Sequence, residues 1–358
     1  MMEKTAKPFF SIIMSVYNCE LYVEKALKSI LIQTCADFEL FIVDDASTDR
    51  SKELCHNWAY KDKRIKLMFL PEHVGVNEAR NRVMLKVQGQ YVTFADADDY
   101  LEPEVLYTAR QFLQQQPVQI LKCGFIEEYY SLRDEILGSK KILPAQGMYT
   151  GSLEGLAEFL FAPDKIQQFG FLWNSFYDNN FLRISKIKMN TDFCFGMDYI
   201  FNLDACSRTI SIAYLSYSGY HYCKRGQKSL SGQRQKAYFE VQSLKLQATL
   251  ARFPEWAATN TDVYQQFIWQ YYVRSVYSLV ARKLRYENRG TAIEALKDIY
   301  RTELFNRFRN GNFISLNRKR HFLSMLLRQE QTGLIIGLCH LSNYLQKKFP
   351  LVFARIKR

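Results

Sequence analysis

Several devices that would define a function at once are missing from this chain. Its eight cysteines (19, 35, 55, 123, 194, 206, 223 and 339) form no CxxC pair and are scattered, mostly in apolar surroundings. That pattern argues against a zinc or disulfide framework and reads as reduced core cysteines. Met1 to Lys7 is mixed in character and the first apolar run, Phe9 to Val16, has only strand length, so no signal peptide is expected. The longest weakly charged stretch near the C-terminus, 331–346, contains His340, Asn343 and small polar residues. It falls short of the roughly 20 apolar residues of a spanning helix, so no transmembrane helix is expected, and the reduced cysteines give the chain a cytoplasmic pattern. There is no GxGxxG after the first apolar run and no Walker lysine loop anywhere. Any phosphate would have to be held without a glycine-rich cradle.

What is present starts with size and charge. With 358 residues and 48% hydrophobic content, the chain can build one large domain or a catalytic domain with an appendage. The net charge of +12 is segregated, because residues 1–250 hold 29 Lys+Arg and 29 Asp+Glu while residues 251–358 hold 19 and 7. Such asymmetry points to an anionic partner, whether membrane, nucleic acid or charged polymer.

The N-terminal part alternates strand and helix signals. Phe9 to Val16 is a near-continuous apolar run, as expected of a strand covered on both faces. Apolar residues at helical spacing follow from Glu20 to Gln33, then a second buried strand, Phe38 to Val43, ending in Asp44, Asp45, Ala46, Ser47, Thr48 and Asp49. Ser47, Thr48 or Asp49 is expected to cap the next helix. A third strand, Ile65 to Leu70, leads to a helix near Val76 with Asn77, Arg80 and Asn81, and a fourth, Tyr91 to Ala95, enters Asp96, Asp98 and Asp99. This βαβαβαβ order, with carboxylates, hydroxyls and glycine at the strand ends, is a half-sheet of nucleotide-binding type. Three like charges within four positions repel unless a cation joins them. Asp96 and Asp98 point the same way if the chain stays extended, and a hard divalent ion holding a diphosphate would satisfy them. A solvated acidic turn capping a helix near Pro103 is the alternative for this stretch.

In order and spacing, the runs SVYN, VDDAST, GVNEARN (75–81) and FADADD resemble the family 2 glycosyltransferases, enzymes of GT-A fold that use sugar nucleotides. The resemblance covers about residues 8–232. It implies a mixed α/β sheet flanked by helices, with a catalytic domain over 1–232 (nucleotide-binding half 8–123, acceptor half 124–232) and a helical, basic region over 233–358. It also implies that Asp98, with Asp96 as ligand or ribose partner, holds Mn²⁺ or Mg²⁺ against the diphosphate of a UDP-sugar. Ser15, Tyr17, Asp45 and Arg80 are then expected around the uracil and ribose, a placement that suits their chemistry. For Tyr17, a core aromatic at a strand end stays open as the alternative.

The second half is read more coarsely. A helix over Pro103 to Gln115 and a strand over Val118 to Cys123 precede an irregular excursion from Glu127 to Met148. Residues 172–177, LWNSFY, resemble the segment under the acceptor in that family, so Trp173 is either a platform for a sugar ring or a buried core residue. Asp198 matches the family's acidic base at a helix start, where the preceding acid is replaced here by Met197, which is expected beside the acceptor. A plain helix cap is the other reading of Asp198. Residues 218–232, SGYHYCKRGQKSLSG, resemble the closing strand and mobile loop, with Arg225 and Lys228 placed to stabilise departing UDP, or else a solvated basic loop.

The implied activity is inverting transfer of a sugar to a hydroxyl of a carbohydrate or glycolipid acceptor in lipopolysaccharide, capsule or related surface-glycan synthesis. Beyond Gln235 the pattern is helical. Basic clusters at 318–320, 347–348 and 355–358, with Trp269, Tyr271, Tyr272 and Phe349 as apolar anchors, suggest peripheral attachment to an anionic membrane face. A packed helical bundle is the alternative. Two rivals belong to other classes. A sugar-nucleotide nucleotidyltransferase should carry a basic glycine-rich loop where this chain has SVYNCE, and a non-catalytic anionic-polymer binder would leave the acidic strand ends unexplained. No nucleic acid partner is expected, because the cations form no recognisable module. A processive polysaccharide synthase is not expected, because the sequence shows neither membrane helices nor a QxxRW motif.

Overall fold

A computed structural model describes residues 7–131, 133–151, 153–162, 165–192, 196–225, 238–252, 261–310 and 318–348. The chain divides into two compact units, Met1–Gln235 and Lys236–Arg358.

The first unit is a mixed α/β fold. It opens with β1 (Phe10–Val16), α1 (Val23–Leu31), β2 (Phe38–Asp44), α2 (Ser51–Lys61), β3 (Ile65–Phe69), α3 (Val76–Met84) and β4 (Tyr91–Asp96). These four strands lie side by side in the order β3-β2-β1-β4, all parallel. The continuous apolar runs of β1, β2 and β4 are buried on both faces, as helix-covered parallel strands must be. Because the strands are parallel, their C-terminal ends share one edge, and the register sets Ser15 beside Val43 on one side and Asp96 on the other.

The sheet continues through β5 (Tyr100–Leu101), α4 (Val105–Gln115), β6 (Ile120–Tyr130), β7 (Ile136–Ile142), β8 (Gly147–Thr150), α5 (Leu153–Leu160), α6 (Ile166–Phe169), β9 (Ser175–Asp178), α7 (Asn179–Ile184), α8 (Met197–Cys206) and β10 (Ser211–Lys224). β9 runs antiparallel between β4 and β6, β10 is parallel to β6, and β5 closes the far edge. The expectation of an irregular excursion over 127–148 is corrected here. β6 runs on to Tyr130 between β10 and β7, and β8 adds a further edge on β10. β7 reads ILGSKKI and is exposed at all but its last residue, so it has none of the alternation that marks a half-buried strand.

Two capping expectations also change. α2 begins at Ser51 with Arg50 as its N-cap and no side-chain cap. Ser47 and Thr48 are turned toward Asn18 instead, and Asp49 accepts from the Glu20 and Ser51 amides. α4 is preceded by Glu104, again with no side-chain cap, so the acidic stretch does not serve as its cap.

The second unit contains α9 (Tyr238–Arg252), α10 (Thr261–Tyr286), α11 (Arg289–Tyr300), α12 (Glu303–Asn310), α13 (Arg318–Arg328) and α14 (Thr332–Lys348). Its core corrects the membrane-anchor expectation. Trp269 and Tyr272 are buried, with Phe308 against both rings at 5.4 and 5.2 Å, and the Tyr271 hydroxyl meets Gln242. Phe349, the cluster 355–358 and the side chains of 318–320 lie outside the described residues. Among the described residues, the large apolar side chains that face solvent are Tyr286 at the end of α10, Phe322 and Met325 on α13, and Leu334, Leu341 and Tyr344 on α14. No helix among the described residues is long and apolar enough to cross a membrane.

Candidate active site

The site is built on the shared C-terminal edge of β1, β2 and β4. Tyr17 follows β1 directly and is exposed, which removes the core reading of its ring. Its loop is clamped to the loop after β2, since Asn18 accepts from the Thr48 amide at 2.8 Å and gives its own amide to Ser47 Oγ at 3.1 Å. Two of the sequence runs, SVYN and VDDAST, therefore touch. Asn18 and Ala46 hold φ of 51° and 59° there, a region costly for residues with a Cβ and often found at functional loops. Asp45 is buried and accepts from the Val74 and Gly75 amides, each at 2.8 Å. Gly75 needs its freedom, because it starts α3 at φ 89°.

His73 is a member of this group that the sequence reading missed. Its ring stacks on Tyr17 at 4.0 Å and its Nδ1 lies 2.9 Å from Asp45 Oδ2. The one signal for it was its place two residues before Gly75, in a turn read only as a connection. Asp45 thus has three partners of roughly four acceptor positions filled, leaving room for one more donor.

Arg80 is the centre of charge. It is 4% exposed and gives Nη2 to Asp96 Oδ1 at 2.7 Å and Nη1 to Asp198 Oδ1 at 3.2 Å. Its expected place around the uracil is therefore revised toward the carboxylates it bridges, one from β4 and one from the first turn of α8. Asp198 is not the cap of that helix. Gly196, at φ 73°, takes the N-cap position, which frees the Asp198 carboxylate for Arg80. Desolvation pushes Asp96 up to about 6; Arg80 opposes this, and Asp98 and Asp198 add to it.

The turn after β4 separates the remaining acids. The chain is not extended beyond Asp96, and the Asp99 amide returns to the Asp96 carbonyl at 3.2 Å, so Asp96 and Asp98 do not share a strand face. Asp99 is buried and accepts from the Tyr220 hydroxyl at 2.9 Å and the Cys223 amide at 2.8 Å, which makes it a lock between the acidic turn and β10. Desolvation and the charges of Asp98 and Asp96 hold its carboxyl well above the usual range. Asp98 remains 40% exposed, with Arg225 Nη1 at 3.7 Å from its carboxylate and 2.6 Å from its carbonyl. Desolvation raises Asp98 as well, with Arg225 opposing. Arg225 itself is boxed by the rings of Tyr22 and Tyr130, at 4.0 and 4.8 Å, and by Asp134 at 3.1 Å. That removes the reading of Arg225 as a solvated loop cation, while Lys228 lies outside the described residues.

The two acceptor residues are corrected. Trp173 is sandwiched between Tyr220 (4.4 Å, 10°) and Phe171 (4.6 Å, 24°) and is 5% exposed, so neither face is open to a sugar ring. Met197 is buried at the base of α8.

Whether a divalent cation suits these residues is decided by the donor set. Among the described residues no group of three or more His, Cys, Asp or Glu side chains is placed to hold a metal. Asp96 and Asp98 nonetheless offer hard oxygens, and desolvation raises both carboxyls. Carboxylate oxygens are the donor type that Mg²⁺ takes alongside phosphate oxygens and water, and Arg80 already holds one oxygen of Asp96.

Residues 11–196 match the family described as glycosyl transferase family 2. The chain belongs to that family. It is 44% identical over 108 residues to an uncharacterized glycosyltransferase of Haemophilus influenzae, a match covering 30% of this chain and 43% of that protein. It is 32% identical over 122 residues to the minor teichoic acid biosynthesis protein GgaB of Bacillus subtilis, covering 34% and 14%. The matches thus span less than half of either relative. The crystal structure of S. aureus TarS 1-349 in complex with UDP-GlcNAc has the same fold, with TM-score 0.65, 20% identity, and coverage of 96% of this chain and 93% of that one.

Proposed function

We propose that the protein is an inverting glycosyltransferase that moves a sugar from a UDP-sugar to a hydroxyl of a carbohydrate or glycolipid acceptor, in lipopolysaccharide, capsule or related surface-glycan synthesis. The observation that carries the reading is the Arg80 bridge, which joins a carboxylate at the nucleotide-binding edge to one at the start of α8, 118 residues beyond Arg80 in the chain. Residues from both halves converge there, as a reaction between a bound nucleotide and a second substrate needs. Family membership supports the reaction class. A UDP-GlcNAc complex of a protein with this fold supports the donor class, and a relative named for teichoic acid biosynthesis supports a surface polymer as acceptor. The proposed catalytic domain is 1–232, with the nucleotide in 8–123 and the acceptor in 124–232.

In this reading Tyr17 stacks on the uracil, Asp45 accepts its imide N–H, and Ser15 lies beside the ribose. Asp198 removes the proton of the acceptor hydroxyl as that oxygen bonds to the anomeric carbon and the bond to the diphosphate breaks on the opposite face. Arg225 and Lys228 meet the charge that builds on the departing UDP. Asp96 and Asp98 would hold Mn²⁺ or Mg²⁺, which supplies charge neutralisation of the diphosphate when bound. Arg80 keeps the base and Asp96 from repelling each other. The second unit is proposed to meet an anionic membrane face, with the exposed side chains of α13 and α14 in place of the buried Trp269 and Tyr272.

The test is UDP release from a panel of UDP-glucose, UDP-galactose, UDP-GlcNAc and UDP-GalNAc with Mn²⁺. Turnover of at least one donor that EDTA abolishes is expected. Release of UDP from none of them, with or without metal, would sink the reading.

A further inference from the structure

Lys122 carries a charge that no step above uses. Its side chain is on β6 with 0% exposure, and among the described residues no carboxylate pairs with it. An ammonium buried without a counter-ion is costly, and burial pulls this one down to about 8. Its Nζ donates instead to three neutral oxygens on three segments: Ser175 Oγ at 2.8 Å on β9, Asn202 Oδ1 at 3.0 Å on α8, and the Phe171 carbonyl at 3.4 Å. An ammonium has three hydrogens, and each finds one acceptor.

Asn202 is where these links meet. Its Oδ1 also accepts from the Tyr177 hydroxyl at 2.6 Å, and its Nδ2 donates to the Phe171 carbonyl at 3.0 Å. Asn202 stands four residues after Asp198 in α8, one turn along the same face. The helix has a glycine at its N-cap, so no side chain caps its first turn.

We infer that Lys122 is a positioning residue for Asp198: its ammonium pins Asn202, and with it the first turn of α8, at the height that sets the Asp198 carboxylate beside Arg80. This rests on the reading of Asp198 as the base. A buried polar knot that merely stabilised the core would be replaceable by apolar packing with no specific effect on turnover. The titratable groups facing Lys122 are Cys206 and Asp198 from α8, Cys123 from its own strand and Tyr177 from β9.

The experiment measures steady-state UDP release, with the donor that the panel selects, and UDP binding by calorimetry. It uses the intact chain as wild type, Lys122→Met, Asn202→Leu, Asn202→Asp, the Lys122→Met/Asn202→Leu double variant and Asp198→Asn. Lys122→Met and Asn202→Leu should each lower kcat about tenfold or more while donor KM and UDP Kd stay within about twofold, because the lost contact acts only on the base. The double variant should be no worse than the stronger single, since both cut one link. Asn202→Asp keeps an oxygen for the ammonium while losing the donor to the Phe171 carbonyl, so it should retain several-fold more kcat than Asn202→Leu. If Lys122→Met does not fold, the contrast between Asn202→Leu and Asn202→Asp carries the test. Full kcat in Lys122→Met or Asn202→Leu, or equal losses in kcat, KM and Kd, overturns the inference while leaving Asp198 in place if Asp198→Asn is dead. Turnover retained in Asp198→Asn instead removes the base assignment, and the inference falls with it.

Discussion

At the scale of single residues, the acids of the site divide by what surrounds them. Asp98 is the one left open, so Asp98→Ala should abolish metal-dependent UDP binding together with turnover, as calorimetry with and without Mn²⁺ would read; unchanged binding in both conditions would take it out of the metal site. Asp198 contacts Arg80 but not the nucleotide-side loops, so Asp198→Asn should keep UDP affinity within about twofold and lose about a thousandfold or more in transfer, the order expected when a general base is removed. An equal loss of UDP affinity would make Asp198 structural. Lys122 yields a stability prediction from its own ionisation. Its native value of about 8 lies below the 10.5 of an ordinary lysine, so between those pH values the unfolded chain holds a proton that the native state has released. Raising the pH through that window therefore stabilises the native state, by about 3 kcal/mol at most for a shift of this size. Urea unfolding of wild type against Lys122→Met should show the wild type gaining on the variant from pH 8 to 10.5, and a flat difference would mean that the native amine keeps its proton through that window as the unfolded chain does.

At the scale of elements, the acidic turn is held by β10. The Tyr220 hydroxyl donates to Asp99 at 2.9 Å and receives the Asp96 amide at 3.0 Å, so one side chain of the closing strand fixes both ends of the turn. Tyr220→Phe keeps the ring on Trp173 but strands a buried carboxylate oxygen and a buried N–H. A loss of about 1–3 kcal/mol in urea unfolding is expected, with weaker UDP binding because the turn loosens. Unchanged stability and affinity would show that water fills the gap. Such links were not legible in advance, since Tyr220 reads as one more aromatic in a strand and its partners lie 121 and 124 residues away.

At the scale of the whole molecule, the charge segregation remains the strongest global feature, with the entire excess of +12 beyond residue 250. Each cation near an anionic leaflet contributes on the order of 1 kcal/mol, fading within a Debye length. With Trp269 and Tyr272 buried, the exposed side chains of α13 and α14 are the proposed apolar contribution among the described residues, with Leu341 and Tyr344 in the half of α14 that ends in Lys347 and Lys348. Sedimentation with phosphatidylserine-containing vesicles should show binding at low salt that declines with added salt and is lost in Lys347→Gln/Lys348→Gln/Leu341→Ser, while UDP release persists. Indifference to such vesicles at low salt would leave the basic unit without a membrane role.

The sequence by itself determined the parallel half-sheet and the edge on which the site lies, because buried strands and their helices are written in local periodicity and the acids fall at the ends of apolar runs. It also determined which residue types reach that edge, Tyr17, Asp45, Asp96, Asp98 and, through the family resemblance, Asp198. Only the tertiary structure decided the pairings: Arg80 with Asp96 and Asp198, His73 with Tyr17 and Asp45, Lys122 with Asn202, and Trp173 closed between two rings. Those depend on distances between segments far apart in the chain, and no local pattern encodes them. The same holds for the tail, where an aromatic beside a cation reads alike whether it faces a core or a membrane, and packing against Phe308 is what separates the two.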